Sequence, residues 1–492
     1  MKEKQFMLVL LALLFGSYQA MAQQAASTRS FSLQQAIEYA LVNQTTVKNA
    51  HIQQEIARAR VGEIRSIGLP QINAGVEMGN NLVLQKTLID PNTFGPQVDI
   101  RPMPATVSAE QINQGRDVTI TPDFDTTFVS RPPASLAFGL KYAGSAALSA
   151  SQLLFDGSYL IGLKAAKVYT DLSRKQAQQT EIEVIDQVTK AYYGVLVSWE
   201  RLALLDRNLL RLQTQLREVA EIHKEGFAEK IDVDRLQVAF NNLNVEKEKA
   251  SRLVALGVDL LKFQMGMDLN QPIELTDKLD NIVIEAQAAL NTQKFNYSQR
   301  IEYAVLETQR DLAKLDIKNK QAGYYPRLLL NGRYGYSGSS NNFSDLIRTK
   351  TQFDGVDYAN WFEFAYVGVS LQVPIFDGLR KKYEIQQAKL NLQTVNNGFR
   401  ILQQSIDLQM RQSNTNLQNA FLVLESQKQS LALAEEVARV ANIKFKEGVG
   451  SNLEVVSAET ELRQAQTNYY SAIYDALIAK VDLQKANGTL TK

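Results

Sequence analysis

The sequence contains no cysteine in 492 residues and only two histidines, His51 and His223. Disulfides are therefore excluded even in a compartment that would permit them. A lipid anchor on a processed cysteine is excluded for the same reason. The formal net charge of +1 gives no bulk attraction to nucleic acid. Beyond the first 22 residues no stretch approaches the roughly 20 apolar residues that a spanning helix needs. There is also no phosphate-cradling glycine loop and no zinc-binding helix motif. Catalysis is thus poorly supplied. His51 lies on a helical pattern as a surface residue, and His223 lies on an apolar helix seam, where packing or an oligomer contact suits it better than acid–base work. No cofactor and no metal path is indicated.

Residues 1–22 read as a secretory signal. Lys2 and Lys4 give a positive start, Phe6 to Phe15 an apolar core, and Ala20-Met21-Ala22 a small-residue cleavage site before Gln23. Export without a membrane helix leaves strands or a partner as the means of holding a membrane.

What the chain does contain is written twice. Phe155-Asp156-Gly157 returns as Phe376-Asp377-Gly378, and Lys224-Glu225-Gly226 as Lys446-Glu447-Gly448. Phe155 to Lys224 is 69 residues and Phe376 to Lys446 is 70; Gly226 to Gly266 and Gly448 to Gly488 are both 40. Four landmarks in register mean one unit built twice and packed against its copy. The first repeat is placed at 23–266, a linker at 267–296, the second repeat at 297–488 and a tail at 489–492.

Each copy carries a helix with a seven-residue beat. Ile406, Met410, Ser413, Leu417, Ala420, Leu424, Gln427, Leu431, Ala434, Ala438, Ala441 and Phe445 follow in steps of four and three. The same seam runs from Val184 to His223 in the first copy. A 3.5-residue period is that of a supercoiled helix pair. Each long helix stops at a glycine, Gly226 or Gly448, able to adopt the left-handed closing conformation. The chain then returns along Leu236, Phe240, Leu243, Val254 and Leu261, or along Ala458, Leu462, Ala465, Ala472 and Leu483.

The texture before each long helix is different. Pro70 and Pro326 each stop a helix, and alternation follows. Ile72, Ala74, Val76 and Met78 share a face; so do Leu328, Leu330, Tyr334 and Tyr336, and the strands leading into the two FDG turns show Phe138, Leu140, Tyr142, Ala146, Leu148 and Ala150, then Val367, Val369, Leu371 and Val373. Alternating segments of about ten residues fit outer-membrane strands. Aromatics gather at strand ends, as girdles do at a bilayer's interfaces: Tyr324, Tyr325, Phe155 and Phe376 at one level, and Trp361, Phe362, Phe364, Tyr334 and Tyr336 towards the other. Four strands cannot close a membrane barrel, so several copies must share one. The loop at 79–137, with seven of the eleven prolines between Pro91 and Pro133, is expected to be irregular and exposed. The shorter loop at 338–361 is its counterpart.

The ordered set resembles the TolC-type outer-membrane efflux proteins over nearly the whole length after residue 22. It is carried by "SIGLPQINAGVEMG" and "QAGYYPRLLLNGRYGY", "SASQLLFDG" and "SLQVPIFDG", and "KEGFAEKIDVDRLQVA" and "KEGVGSNLEVVSAETE". The resemblance implies a mainly α fold with a transmembrane β-barrel. A homotrimer would share twelve strands, four from each chain, continuous with a long α-helical coiled-coil barrel crossing the periplasm. Residues after Gly266, around Ser32 and at the C-terminus would form an equatorial belt. Such proteins are passive exit ducts in the outer membrane, docked to a periplasmic adaptor and an inner-membrane transporter.

By the same resemblance the helix turns, Gly226-Phe227 and Gly448-Val449, would be periplasmic tips that meet the adaptor. Asp232 and Glu454, with Asp234 as an additional candidate, would ring the closed entrance and favour cations, although acids in a first helical turn also simply suit the helix dipole. A relative of known type pairs a pore-side acid with a basic residue two positions beyond the second tip glycine, where this chain has Gly450, and the later acid of that set is replaced by Ser457. Closure is expected to use other contacts, with Lys230 as a candidate. A coiled-coil scaffold without a pore remains the alternative.

Overall fold

The computed structural model describes residues 29–95, 97–104, 109–115, 124–129, 132–279 and 295–490. The signal sequence assigned to 1–22 and most of the linker assigned to 267–296 lie outside them. In chain order the elements are β1 (Arg29–Phe31), α1 (Leu33–Asn43), α2 (Thr45–Ser66), β2 (Gln71–Asn80), β3 (Lys86–Ile89), β4 (Gln97–Pro102), β5 (Phe124–Val129), β6 (Ala134–Ala137), β7 (Tyr142–Phe155), α3 (Gly157–Lys224), α4 (Lys230–Met265), β8 (Ile273–Leu275), α5 (Ile301–Ala322), β9 (Arg327–Ser340), β10 (Lys350–Phe353), β11 (Val356–Ala359), β12 (Trp361–Gln372), α6 (Arg380–Lys446) and α7 (Asn452–Ala486). The chain divides into a helical unit and a strand unit, the latter comprising Ser66–Gly157 and Tyr325–Ile375. Among the described residues no helix is long and apolar enough to cross a membrane.

The duplication is visible in helix lengths: 22, 68 and 36 residues for α2, α3 and α4, against 22, 67 and 35 for α5, α6 and α7. At 1.5 Å per residue each long helix runs about 100 Å. The heptad seams are the faces that pack. Val184, Val188, Val195, Leu205, Leu212 and Val219 are buried on α3, and Ile406, Ser413, Leu417, Ala438 and Ala441 on α6. Leu205, Leu212 and Val219 meet Leu236 and Leu243 of α4 in one apolar cluster. Ala438 and Ala441 meet Val455, Ala458 and Leu462 of α7 in another.

One long helix is matched by two shorter ones placed end to end, and the joints are made at glycine. Gly266 closes α4 with φ +69°, and a Cβ there would sit 2.6 Å from the Gln44 Cα, just before α2. Gly488 follows α7, again with φ +69°, and a Cβ would lie 2.8 Å from the Gln299 carbonyl oxygen, just before α5. The equal spacing of 40 residues therefore marks the same joint made twice. Arg300 seals the second one. Only 5 % exposed, it donates from Nη1 to the Ala486 carbonyl at 2.8 Å and from Nη2 to Gln409 Oε1 at 3.1 Å, and it pairs with Glu302 at 3.0 Å.

At the first joint a small mixed cluster forms. β1 pairs in parallel with β8, Ser32 caps α1 in a reciprocal capping box with Gln35, and Phe31, Ile37, Val188, Tyr192, Leu261, Ile273 and Leu490 share one core. This is the region expected around Ser32 and the C-terminus. The Tyr192 hydroxyl lies 2.8 Å from Asp277 Oδ2 and 3.0 Å from the Phe31 carbonyl. Burial, reinforced by the Asp277 charge, raises the Tyr192 pKa well above the ordinary tyrosine value, so the proton stays in place as the donor.

In the strand unit the main sheet has the order β12-β9-β7-β2, antiparallel throughout. The strand pair of one copy joins that of the other through β7 and β9, leaving β2 and β12 as edges. The long loop corrects an expectation. It is not simply irregular, because β3 pairs with β6 and β4 with β5. Short alternating stretches such as "QVDIRP" and "FDTTFV" form ladders, with Pro102 as the last residue of β4. Parts of this loop lie outside the described residues.

Two outcomes follow from the joints. Gly266→Ala and Gly488→Ala force a left-handed alanine into a backbone contact and should each cost about 2–4 kcal/mol. Gly226→Ala and Gly448→Ala, whose Cβ would meet open space, should cost only about 1–2 kcal/mol; denaturant midpoints of the four variants would rank them. The second concerns acid. Burial works against the Glu302 charge, but hydrogen bonds from Arg300 outweigh it and hold the pKa below the ordinary glutamate range. Its contribution is therefore present above that range and lost as pH falls through the depressed value. Stability measured from about pH 5 to pH 3 should fall less steeply in Glu302→Gln than in the unaltered chain.

Candidate functional site

The helix tips repeat one closure. Phe227 N donates to the Ile222 carbonyl at 3.0 Å around Gly226 (φ +83°), and Val449 N donates to the Lys444 carbonyl at 3.0 Å around Gly448 (φ +76°). Each is the paired carbonyl-capping turn in which only glycine takes the left-handed position without strain. Phe227 and Val449, the residues after each glycine, are 87 % and 77 % exposed, so each tip presents one apolar side chain. In the first tip His223 Nδ1 lies 2.7 Å from the Ala228 carbonyl, which can only accept; the histidine pins its own turn. In the second tip Gly450 N also donates to the Lys444 carbonyl, and a Cβ on Gly450 would lie 2.8 Å from the Lys444 Cβ. That contact is a structural reason why no basic side chain stands at position 450.

The three acids sit differently. Asp232, in the first turn of α4, is half-buried. Its Oδ1 accepts from Asn452 Nδ2 at 3.3 Å and lies 3.7 Å from Arg235, and its carbonyl accepts from the same Asn452 amide at 3.2 Å. Asn452, the first residue of α7, is 4 % exposed and so ties the second tip to the first. Nothing in the sequence marked it beyond its place next to a cap. Asp234 and Glu454 are exposed, as is Lys230. The Ser451 hydroxyl caps α7 by accepting from Glu454 N at 3.2 Å. Glu454 and Ser457 line a groove of about 560 Å³ between the end of α6 and the start of α7. Its apolar residues are Val437, Val440 and Leu453, and Glu436 and Glu461 flank them.

The strand unit has two chemically distinct faces. Residues paired across the sheet point the same way and alternate along each strand. One face carries Ile72, Val76, Met78, Leu148, Leu328, Leu330, Val367, Val369 and Leu371; the other carries Gln71, Asn73, Glu77, Ser149, Ser151, Asn331, Arg333 and Ser337. The aromatic expectation needs correction here. Trp361 and Phe362 are neighbours in β12 and point to opposite faces, Phe362 to the polar one with Phe364 and Tyr366. Tyr334 and Tyr336 are on the apolar face but near the middle of β9, not at its end. Trp361 packs against Gly144 and Gly338, where a Cβ would collide with its ring, and donates from Nε1 to the Leu346 carbonyl at 3.0 Å. It thus anchors its own loop. Phe155 does lie at the other end, opposite Leu328, and Tyr325 is exposed. In the helical unit Tyr324 lies under the Lys381 ammonium at 5.3 Å, and Phe376 is 80 % exposed.

Comparison with known proteins agrees with this geometry. The family model described as outer membrane efflux protein matches residues 298–489. The outer membrane protein TolC of Vibrio cholerae is 23 % identical over 350 residues, covering 71 % of this chain and 77 % of TolC. The chain is thus similar to the TolC-type outer-membrane efflux proteins in sequence and in fold. A protease secretion protein, PrtF of Dickeya chrysanthemi, is 22 % identical over 63 % of the chain and 65 % of its own length. The crystal structure of the Campylobacter jejuni CmeC outer membrane channel matches with a TM-score of 0.65 at 16 % identity, covering 93 % of this chain and 85 % of CmeC. The family model matches only the second repeat, while the first repeat shows the same helices.

The tie between the tips is open to test. Asn452→Ala removes both hydrogen bonds to Asp232 and should cost about 1–2 kcal/mol, seen as faster amide exchange at the starts of α4 and α7. Asn452→Asp, which sets one carboxylate against another, should cost more.

Proposed function

We propose that this protein is the outer-membrane exit duct of a tripartite efflux or secretion system. The strand unit would sit in the outer membrane and the helical unit in the periplasm. One observation carries the reading: a four-stranded sheet with one apolar face, one polar face and two unpaired edges. In lipid those edges would leave backbone groups unsatisfied, so β2 of one copy would pair with β12 of another. Three copies make a twelve-stranded barrel with the apolar face to lipid and Asn73, Ser149, Asn331 and Arg333 towards a water-filled lumen. The chain has no catalytic part to play; the work would come from an inner-membrane transporter through a periplasmic adaptor.

The exposed Phe227 and Val449, together with the groove of Val437, Val440 and Leu453 between acidic rims, suit the apolar face of an adaptor helix. Asp234 and Glu454 are free to give the entrance a negative field. Asp232 would contribute charge while also holding the two tips together.

Single-channel recording of the purified protein in a planar bilayer tests this. A small cation-preferring current is expected, with the preference reduced by Glu454→Gln and by Asp234→Asn. Asp232→Asn should reduce it too and, unlike the others, should also raise the opening frequency. Chemical cross-linking should stop at three copies. An intact membrane oligomer that passes no current would count against the duct and in favour of a scaffold.

A further inference from the structure

A small pocket, partly open to solvent, lies where α3, α4 and α7 meet, about eleven residues before the Gly226 tip. Its volume is about 30 Å³, somewhat more than the ~10–15 Å³ that one water needs. Asn208, Arg211 and Gln215 line it from α3, and Glu459, Thr460 and Arg463 from α7. Asn208, Arg211 and Gln215 use the i, i+3, i+7 spacing of a single helix face and Glu459 and Arg463 the i, i+4 spacing, so two polar faces meet within a seam that is otherwise apolar.

The hydrogen-bond inventory is lopsided. Glu459 accepts from Arg211 at 2.8 Å through Oε2 and from Asn442 at 2.9 Å through Oε1. Asn208 Oδ1 accepts from Arg211 at 3.0 Å, while Asn208 Nδ2 donates to Gln466 at 2.8 Å. The Thr460 hydroxyl donates to its own helix, to the Val456 carbonyl at 2.8 Å. Two donors are left over. Gln215, 9 % exposed, has its Nε2 buried without a hydrogen-bond partner, and Arg463 has no ion pair among the described residues. Two arginines against one glutamate leave the lining with one net positive charge. The buried Gln215 amide donor is costly unless something accepts from it, and the half-exposed Arg463 guanidinium beside it adds a positive charge.

We propose that this cavity is a binding site for one small monovalent anion of the size of chloride, which accepts from Gln215 Nε2 and Arg463 and links α3 to α7 above the tips. A water molecule would accept the same hydrogen bonds but leave the charge uncompensated. Polyatomic anions exceed the volume. The site lies between the repeats and has no duplicate, because Asn208, Arg211 and Gln215 correspond to Ser430, Leu433 and Val437 in the other copy.

Bromide serves as the probe. Crystals of the full chain grown in bromide should show an anomalous peak in this cavity beside Gln215, absent in Arg463→Gln. In solution, replacing gluconate by bromide at constant ionic strength should raise the melting temperature by about 1–3 °C, with sulfate having no such effect. That shift should vanish in Gln215→Leu and in Arg463→Gln, the latter altering a half-exposed side chain and so folding even if the former does not. Density without anomalous signal would identify water and overturn the proposal. A bromide-induced shift of equal size in both variants would overturn it as well.

Discussion

The helical unit depends on a matching of lengths. A helix of 68 or 67 residues cannot bury its seam alone, and the chain covers it with two partners of 36 and 22 or 35 and 22 residues. The joints are where this could fail, since helix ends expose unpaired carbonyl and amide groups. Gly266 and Gly488 solve the geometry by turning left-handed and by having no Cβ to meet the backbone before the next helix. Arg300 solves the polar side at one joint, and the β1–β8 pair with Tyr192 and Asp277 at the other. The two copies therefore share a joint but seal it with different chemistry.

In the strand unit the governing constraint is alternation. A period of two sends neighbouring residues to opposite faces, so an apolar face and a polar face arise from the same strands. Such a sheet is complete on neither face and at neither edge, and that incompleteness is what the proposed shared barrel would answer. Phe362, Phe364 and Tyr366 on the polar face and Glu363 on the apolar one depart from the pattern on the edge strand β12. The tips show a related economy of means: Asn452, a single buried amide, couples the two repeats through Asp232, which was expected to ring the entrance.

Much of this was legible in the sequence because it rests on periodicity. Steps of three and four named the seam residues from Val184 to Phe445, and every one of them is buried or half-buried. Alternation named Ile72, Val76, Leu148 and Val369 as one face, and their pairing puts them there. The glycine turns were legible because a left-handed closure has few alternatives to glycine. What escaped were contacts between residues distant in the chain. Asn452 with Asp232, Asn208 with Gln466, and Trp361 with Gly144 and Gly338 leave no periodic trace. Aromatic residues were misread for a related reason, since composition near a strand end says nothing about which face a side chain takes.

The sequence by itself determined the duplication, the helix lengths, the seams, the two sheet faces and the points where the chain reverses. Each follows from local geometry, the 3.6-residue and two-residue periods and the torsional freedom of glycine, which act over a few neighbouring residues. Only the tertiary structure decided how copies join, which acid is held and which is free, and where polar groups meet in the interior. Those outcomes depend on which surfaces lie opposite one another after folding. A side chain's charge, burial and partners are properties of that juxtaposition, and the linear order of residues does not contain it.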